Sequence, residues 1–508
     1  MRYLSTRDGS DAPASFDEVV RQGTAPDGGL YVPDEIPVLP PEELEGLAAL
    51  SYAEAAFRVI SAFHPGLPDQ TLRDILSAAY PGAFQEDEPA PLRADRSGCC
   101  PVLELWHGPT AAFKDLALQV LPRFMAACSD EGEEQLVLVA TSGDTGSAAL
   151  EGFADRPGVR CAVFYPVEGV SGLQRLQMTT REAGNIEVFA VEGDFDACQQ
   201  GVKALMADPS LTARLLDRHA ITLASANSIN WGRILPQIVY YAVSWSHLRA
   251  AGLLGEEEVL DVCVPTGNFG NILAAWYARR MGIPLGRLVC ATNRNDVLAE
   301  FLATGRYDTA GRDLHRTPTP SMDILRASNL ERLLYHLTEG DGEQVRSWMG
   351  QLDGEGEFEV DPSTLARVRE TFLPASAGDD EILETLQRRH AETGEIIDPH
   401  TAAARYAAEH THGEETMLVV STAHWSKFPG TVVRALEGMR FEEPLPSPLR
   451  GQDPFGLLRH VAAKTGAEIH PSIRALEGAP EVHDTPPLPP DGLEIALLSW
   501  LEEFRRGV

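Results

Sequence analysis

Glu104 to Phe124 read ELWHGPTAAFKDLALQVLPRF. The apolar run that opens at Val102 predicts a short strand, which Gly108-Pro109 ends. Phe113, Leu116, Ala117, Val120 and Leu121 then recur on one face of a helix that starts at about Lys114. An ammonium group at a strand-to-helix junction among apolar neighbours is an unusual choice. The chain has four lysines, Lys114, Lys203, Lys427 and Lys464, among 42 Lys and Arg residues. Where Arg is the common cation, a Lys in an apolar setting points to chemistry that needs an amine. A guanidinium cannot lose its proton and attack a carbonyl. The competing explanation is a Lys at a helix start whose stem snorkels to water.

Outward from this stretch, the chain alternates β-rich runs with helical patterns from about residue 100 to 300. Leu136–Ala140, Val159–Pro166, Asn185–Val191 and Val259–Pro265 read as strands. Helices follow from Gly146, Leu173, Phe195 and Asn271. Such alternation implies right-handed crossovers and parallel-sheet α/β domains with helices on both faces. Residues 1–95 read as a separate, mostly helical unit, with Phe16, Val19 and Val20 in a first helix and the turn-rich APDGGLYVP (Ala25–Pro33) after it. Residues 96–440 read as the catalytic α/β region, with a smaller inserted subdomain around 100–225. The part from 300 to 400 reads as acidic and helical, and Met417–Ser421 as a last core strand. Residues 441–508 read as a Pro-rich extension with two connectors and a short final helix.

The chain has 508 residues, 44% of them hydrophobic, enough to bury a large core. The formal net charge is -33. That argues against nucleic acid or an anionic membrane as partner, since both need a basic face. The seven cysteines include the neighbours Cys99 and Cys100 but no CxxC pair, so neither a disulfide framework nor a metal site is indicated. The first residues, MRYLSTRDGS, lack an apolar signal core, and no apolar run reaches membrane length. The expected location is cytoplasmic. Oligomeric state is not written in the sequence: monomer and homodimer are both open.

Four strand-end loops carry the chemistry. TSGDTG (Thr141–Gly146) and PTGNFGN (Pro265–Asn271) pair glycines with polar side chains at helix starts. Such loops converge backbone N–H groups on an anion, or they are tight turns fitted with glycine. SANSINWGR (Ser225–Arg233) is dense in amides and hydroxyls and ends in an arginine, yet it also suits a solvated loop. STAHWSKF (Ser421–Phe428) follows a buried strand, and its His424 is either structural or an acid–base group. Together, an amine, a glycine loop for a phosphate and a hydroxyl at another strand end meet the needs of pyridoxal phosphate.

The ordered set HGPTAAFKD, SGDTG, SANSIN, PTGNFGN and STAH…KF, with YLSTR and APDGGLYVP near the start, resembles the threonine synthase family of the bacterial and fungal type. The resemblance runs from residue 1 to about 440. It implies a fold-type-II pyridoxal phosphate enzyme, similar to tryptophan synthase β and serine dehydratase. The implied reaction converts O-phospho-L-homoserine and water into L-threonine and phosphate, the last step of threonine biosynthesis. Position by position, the resemblance makes Lys114 the catalytic lysine that carries the cofactor. It makes Gly267, Asn268, Phe269, Gly270 and Asn271 the cofactor phosphate loop, and Thr422 the partner of the pyridine nitrogen. Ser142, Asp144 and Thr145 fall in the loop that meets substrate. Asn227, Ser228, Asn230 and Arg233 match the segment expected to hold the substrate phosphate.

Two departures stand out. The last motif usually reads AHPAKF, and here Trp425 and Ser426 replace two of its residues; Asp8 interrupts the usual STRG near the start. Two other functions compete: a serine or threonine dehydratase-like lyase on the same fold, which needs no substrate-phosphate site, and a non-catalytic phosphate-binding protein, in which Lys114 has no role.

Overall fold

Two parallel sheets organise the molecule. In a computed structural model that describes residues 1–7, 13–95, 100–129 and 132–506, the smaller sheet holds strands 186–191, 159–166, 134–140 and 221–225, in that spatial order. Asp8 and Cys99 lie outside the described residues. The larger sheet runs Phe372–Ser376, Leu285–Thr292, Leu260–Pro265, Thr416–Ser421, Val102–Glu104 and Leu92–Arg93, and only the last pair is antiparallel.

Register explains why distant motifs meet. Val419 pairs with Cys263 and with Val102, and Pro265 pairs with Ala291. The loops after Pro265, Ser421 and Glu104 therefore leave the larger sheet from one edge. In the smaller sheet Leu138 pairs with Ser225, so the loops after Ala140 and Ser225 also leave side by side. In parallel sheets the carboxyl ends of the strands are where ligands bind.

Several elements differ from the sequence reading. The helix that starts at Lys114 stops at Leu118 and resumes as Leu121–Ala127. Pro122, at the second position of the new segment, has no N–H to continue a helical ladder from before it. Strand Ile221–Ser225, which leads into the SANSINWGR loop, and strand Leu285–Thr292 add to the strands named from the sequence, and the region from 300 to 400 contributes strands 306–308, 357–359 and 372–376 besides its helices. The extension beyond 440 contains helices Pro454–Thr465 and Pro471–Arg474 before the final Leu493–Arg506.

The N-terminal segment packs into the main core. The Trp231 ring lies 5.9 Å from Tyr3 and 5.8 Å from Phe63. Tyr3–Ser5 pairs antiparallel with Tyr31–Pro33, which accounts for the YLSTR and GGLYVP motifs together. Thr6 and Arg7 both reach Glu331, at 2.6 and 2.7 Å, and so tie the N-terminus to helix Leu330–Leu337. At the other end, Leu493, Leu497 and Leu501 pack on Cys198, Val202 and Leu205, and Leu488 extends the edge of the smaller sheet.

The loop before Lys114 is set by a buried carboxyl. Asp115 accepts the Thr110 N–H at 2.9 Å and its hydroxyl at 2.7 Å. A Cβ on Gly108 would lie 2.4 Å from that carboxyl, so glycine is required there. Burial pushes Asp115 up to about 7, against the pull of the Thr110 bonds and the Lys427 charge. The folded protein thus binds this proton more tightly than the unfolded chain, whose Asp titrates near ~3.9. Stability from this residue is full below ~pH 4 and falls as pH rises towards 7. Asp115→Asn should flatten that part of the pH–stability curve, measured by urea denaturation at several pH values. An unchanged slope would count against a raised Asp115.

A second glycine sets the spacing of the two helices that flank the site. A Cβ on Gly152 would lie 2.0 Å from the Leu118 carbonyl oxygen. Gly152→Ala should force helix Asp144–Phe153 away from helix Lys114–Leu118 and cost on the order of 2–3 kcal/mol. A melting temperature equal to that of the unmodified protein would refute the close approach.

Candidate active site

The Asp144 carboxylate is the meeting point. It is the first residue of its helix, and its side chain is 5% exposed. Lys427 Nζ lies 3.0 Å from one oxygen, which also accepts Gln174 Nε2 at 2.8 Å. The other oxygen accepts the Ser321 hydroxyl at 2.9 Å and faces Lys114 Nζ at 3.5 Å. Burial opposes charge on Asp144, but the two ammonium groups and Gln174 outweigh it and hold the carboxyl well below its usual range. Gly143 makes the approach of Gln174 possible. Its φ of 140° is strained for any other residue, and a Cβ there would lie 2.5 Å from the Gln174 amide.

Lys114 sits at the first turn of its short helix with its side chain 13% exposed. Burial lowers its proton affinity, Asp144 raises it, and the charges of Arg233 and Lys427 lower it further, with a net downward shift. Such an amine can be neutral at the moment it has to attack or take a proton.

The PTGNFGN loop shapes a cradle. A Cβ on Gly267 would lie 2.7 Å from the Ser321 carbonyl oxygen, and Phe269 adopts a left-handed φ of 62° just before helix Gly270–Arg280. The first N–H groups of that helix have no intrahelical acceptor. Asn271 Oδ1 accepts both the Tyr240 and Tyr241 hydroxyls at 2.6 Å, while its buried Nδ2 has no partner among the described residues. Asn268 offers its carbonyl to Asn329 at 3.0 Å, which turns the peptide and fixes the loop. An orphaned amide donor and a helix start, walled where a side chain would intrude, fit a phosphate group. With the Lys114 amine at a neighbouring strand end, the donor set fits pyridoxal phosphate.

Arg233 is 2% exposed. Its Nη1 donates to the Ala226 carbonyl at 2.8 Å, its buried Nε has no partner, and no carboxylate pairs with it among the described residues. Burial lowers its guanidinium to about 10, which leaves it cationic at neutral pH. Asn227 and Ser228 are half-buried beside it. Asn230 is not available to a ligand phosphate in the way the resemblance implies. Both of its amide hydrogens are spent, on Val20 O at 2.9 Å and Ser225 O at 3.0 Å, while its oxygen caps Gly232 N at 2.9 Å. It holds the loop rather than the ligand. Ser142 and Thr145 are half-buried, and their hydroxyls bond to nothing among the described residues. Thr422 is buried, and its carbonyl accepts the Phe113 N–H at 2.8 Å, which binds the two strand-end loops together.

The structure also recruits residues that the sequence did not single out. Ser321 and Gln174 act on Asp144. Arg332 is fully buried and bonds to Tyr31 O at 2.8 Å, to Ile229 O at 2.5 Å and to Asn329. One guanidinium thereby links the N-terminal strand, the 225–233 segment and, through Asn329, the cradle. Lys427 had a signal, since lysine is rare here. His424 is a capping residue: its Nδ1 accepts the Ser426 N–H, and burial beside His470 and His107 keeps it neutral.

The family model described as pyridoxal-phosphate dependent enzyme matches residues 102–423. Models for the threonine synthase N terminus and C-terminal part match residues 2–80 and 400–453. Threonine synthase from Pseudomonas aeruginosa is 42% identical over 86% of this chain and 90% of its own length. Threonine synthase-like 1 from Homo sapiens is 39% identical over 83% of this chain, which spans 58% of that relative. The solved yeast threonine synthase superposes with a TM-score of 0.85 at 32% identity, over 99% of each chain. A pyridoxal-phosphate-bound threonine synthase from Brucella melitensis gives 0.79 at 36% identity, over 92% of this chain and 100% of its own. With family models matching residues 2–80, 102–423 and 400–453, and with a threonine synthase 42% identical over 86% of this chain, the chain belongs to the threonine synthase family of fold-type-II pyridoxal-phosphate dependent enzymes.

Proposed function

We propose that this protein converts O-phospho-L-homoserine and water into L-threonine and phosphate. The observation that carries the reading is Arg233, a buried cation whose Nε has no partner and which pairs with no carboxylate among the described residues, in a molecule of net charge -33. An uncompensated buried charge is costly, and a substrate phosphate at Arg233 would relieve it. Most of the molecule repels a dianion, so a fixed local cation both admits it and orients it.

Lys114 carries the cofactor in this reading, the 267–271 cradle with the Asn271 amide holds the cofactor phosphate, and the Thr422 hydroxyl is offered to the pyridine nitrogen. When bound, pyridoxal phosphate supplies a ring that takes up the electrons left on carbon when a proton departs. With a hydroxyl and no carboxylate to offer there, Thr422 would not hold a proton on that nitrogen, and the ring would be a milder electron acceptor. Lys114 Nζ removes the proton from the substrate Cα, and its lowered proton affinity makes it a usable base near neutral pH. Asp144 stabilises the ammonium that results. Ser142 and Thr145 offer hydroxyls to the substrate carboxylate, and Arg233 neutralises the phosphate as it leaves Cγ.

A dehydratase on the same fold would have no use for Arg233, and phosphate release from O-phosphohomoserine separates the two. A cytoplasmic enzyme is the companion proposal, supported by six described cysteines that are buried and joined by no disulfide among the described residues.

Lys114→Ala should lose both the visible cofactor absorption and turnover. Retention of both would move the cofactor to another lysine. Arg233→Ala should cost on the order of 2–5 kcal/mol in kcat/KM for the phosphorylated substrate, the range for one partner of a buried charge pair. The cofactor spectrum should survive, because that phosphate has its own cradle. Near-normal kcat/KM would refute the substrate-phosphate assignment, and a colourless variant would show the two phosphate sites to be interchanged.

A further inference from the structure

We propose that Lys427 is a positioning residue of the catalytic centre: through a buried Lys427–Asp144–Lys114 bridge it fixes the charge that faces the Lys114 nitrogen. The inference rests on Lys114 as the cofactor lysine, as proposed above, and goes beyond it by giving a second lysine a task.

Lys427 is fully buried, with its side chain 0% exposed. It closes a short turn, Trp425–Lys427, five residues after Thr422. A buried ammonium needs acceptors, and Lys427 has two: Asp144 Oδ1 at 3.0 Å and the Thr110 carbonyl at 2.7 Å. Thr110 is itself anchored, by Asp115 at its N–H and hydroxyl and by Gln177 at its carbonyl, 3.0 Å away. Lys427 is thus pinned between two fixed oxygens.

The bridge is asymmetric. Lys427 and Gln174 hold one Asp144 oxygen at hydrogen-bond distance, whereas Lys114 lies at 3.5 Å from the other, which Ser321 already holds. A purely structural ion pair would be complete with Asp144 and Lys427 alone. Here the same carboxylate also faces Lys114, so a change at Lys427 is felt at the reacting nitrogen. Asp144 stays paired when Lys114 turns to its cofactor, because three other donors remain. The other charged or titratable groups around the bridge are Arg233 facing Lys114, Asp115 behind Thr110, and His470 of the C-terminal extension beside Lys427.

The sign of the effect follows. Removing the Lys427 charge removes a repulsion at the Lys114 nitrogen and leaves Asp144 to it undivided, so the proton is held more tightly. Removing the Asp144 charge does the reverse. The test is a pH titration of the visible absorption of the cofactor-loaded protein without substrate. Lys427→Met should move the midpoint up by about one pH unit, and Asp144→Asn should move it down by a similar amount, the scale for a charge at this range. Lys427→Arg, which keeps the charge, should stay nearer the unmodified protein. Midpoints that stay in place, or that shift in the same direction for Lys427→Met and Asp144→Asn, overturn the inference. If Lys427→Met alone does not fold, the double variant with Asp144→Asn removes both charges and relieves the unpaired carboxylate. Its midpoint should lie above that of Asp144→Asn, and coincidence of the two overturns the inference. Borohydride reduction and peptide mapping report which lysine bears the cofactor. Cofactor on Lys427 overturns this inference together with the Lys114 assignment. A protein that passes the titration test yet releases no phosphate from O-phosphohomoserine retires the proposed reaction and leaves the bridge standing.

Discussion

A carboxylate buried between two ammonium groups is the constraint on which the rest of the site depends. Removing Asp144, Lys114 and Lys427 from water costs several kcal/mol per ion unless geometry and extra hydrogen bonds compensate. The three residues come from three different strand-end loops, so compensation needs all three loops in register. Much of the local sequence serves that register. Gly143 lets Gln174 approach, Gly152 lets the two flanking helices touch, Gly108 leaves room for Asp115, and Gly267 leaves room for the Ser321 backbone. Each glycine is needed for contact with a different element, which is why none can be read as a generic turn.

The same economy of charge governs the two buried arginines. Arg233 and Arg332 are both buried, and their guanidinium groups bond chiefly to backbone carbonyls rather than to carboxylates. Carbonyl oxygens orient a guanidinium without cancelling its charge. Arg332 uses all of its reach on protein atoms and so acts as a clasp. Arg233 spends one N–H on the Ala226 carbonyl, and its Nε has no partner among the described residues. Two equally buried arginines thus differ in how much of their donor capacity the protein itself takes up.

Much of this was legible in the sequence because strand-end loops of parallel sheets concentrate glycine, hydroxyl and amide residues over a few positions. The rarity of lysine marked Lys114 in the same way. What stayed hidden has physical reasons. Strand Leu285–Thr292 contains Gly286 and Arg287, which break an apolar run; Arg287 is there to pair with buried Asp261 at 2.7 Å, and a Cβ on Gly286 would lie 2.3 Å from that carboxylate. Strand Ile221–Ser225 is short and begins directly after a left-handed Ala220, so it carries little pattern of its own. Asn230 looked like a ligand donor because sequence shows which groups are polar, not which are already spent. Ser321 lies about 180 residues from the Asp144 it bonds to, and no local spacing encodes such a contact.

The departure at Trp425 and Ser426 finds its reason in the C-terminal extension. Trp425 is buried in a cluster with Leu449, Leu457, Leu458, Val461 and Ile473. The Ser426 hydroxyl accepts the His470 N–H at 3.1 Å and lies 2.7 Å from His424 Nδ1. A large aromatic ring in place of a proline needs a cover, and the extension supplies it. The turn Trp425–Lys427 is therefore gripped from outside by the extension and from inside by Asp144 and Thr110. Packing gathered tens of residues further along the chain thus holds the turn that carries the buried Lys427 ammonium. A tail without recognisable motifs can thus be part of the mechanism's framework, because what it contributes is position rather than chemistry.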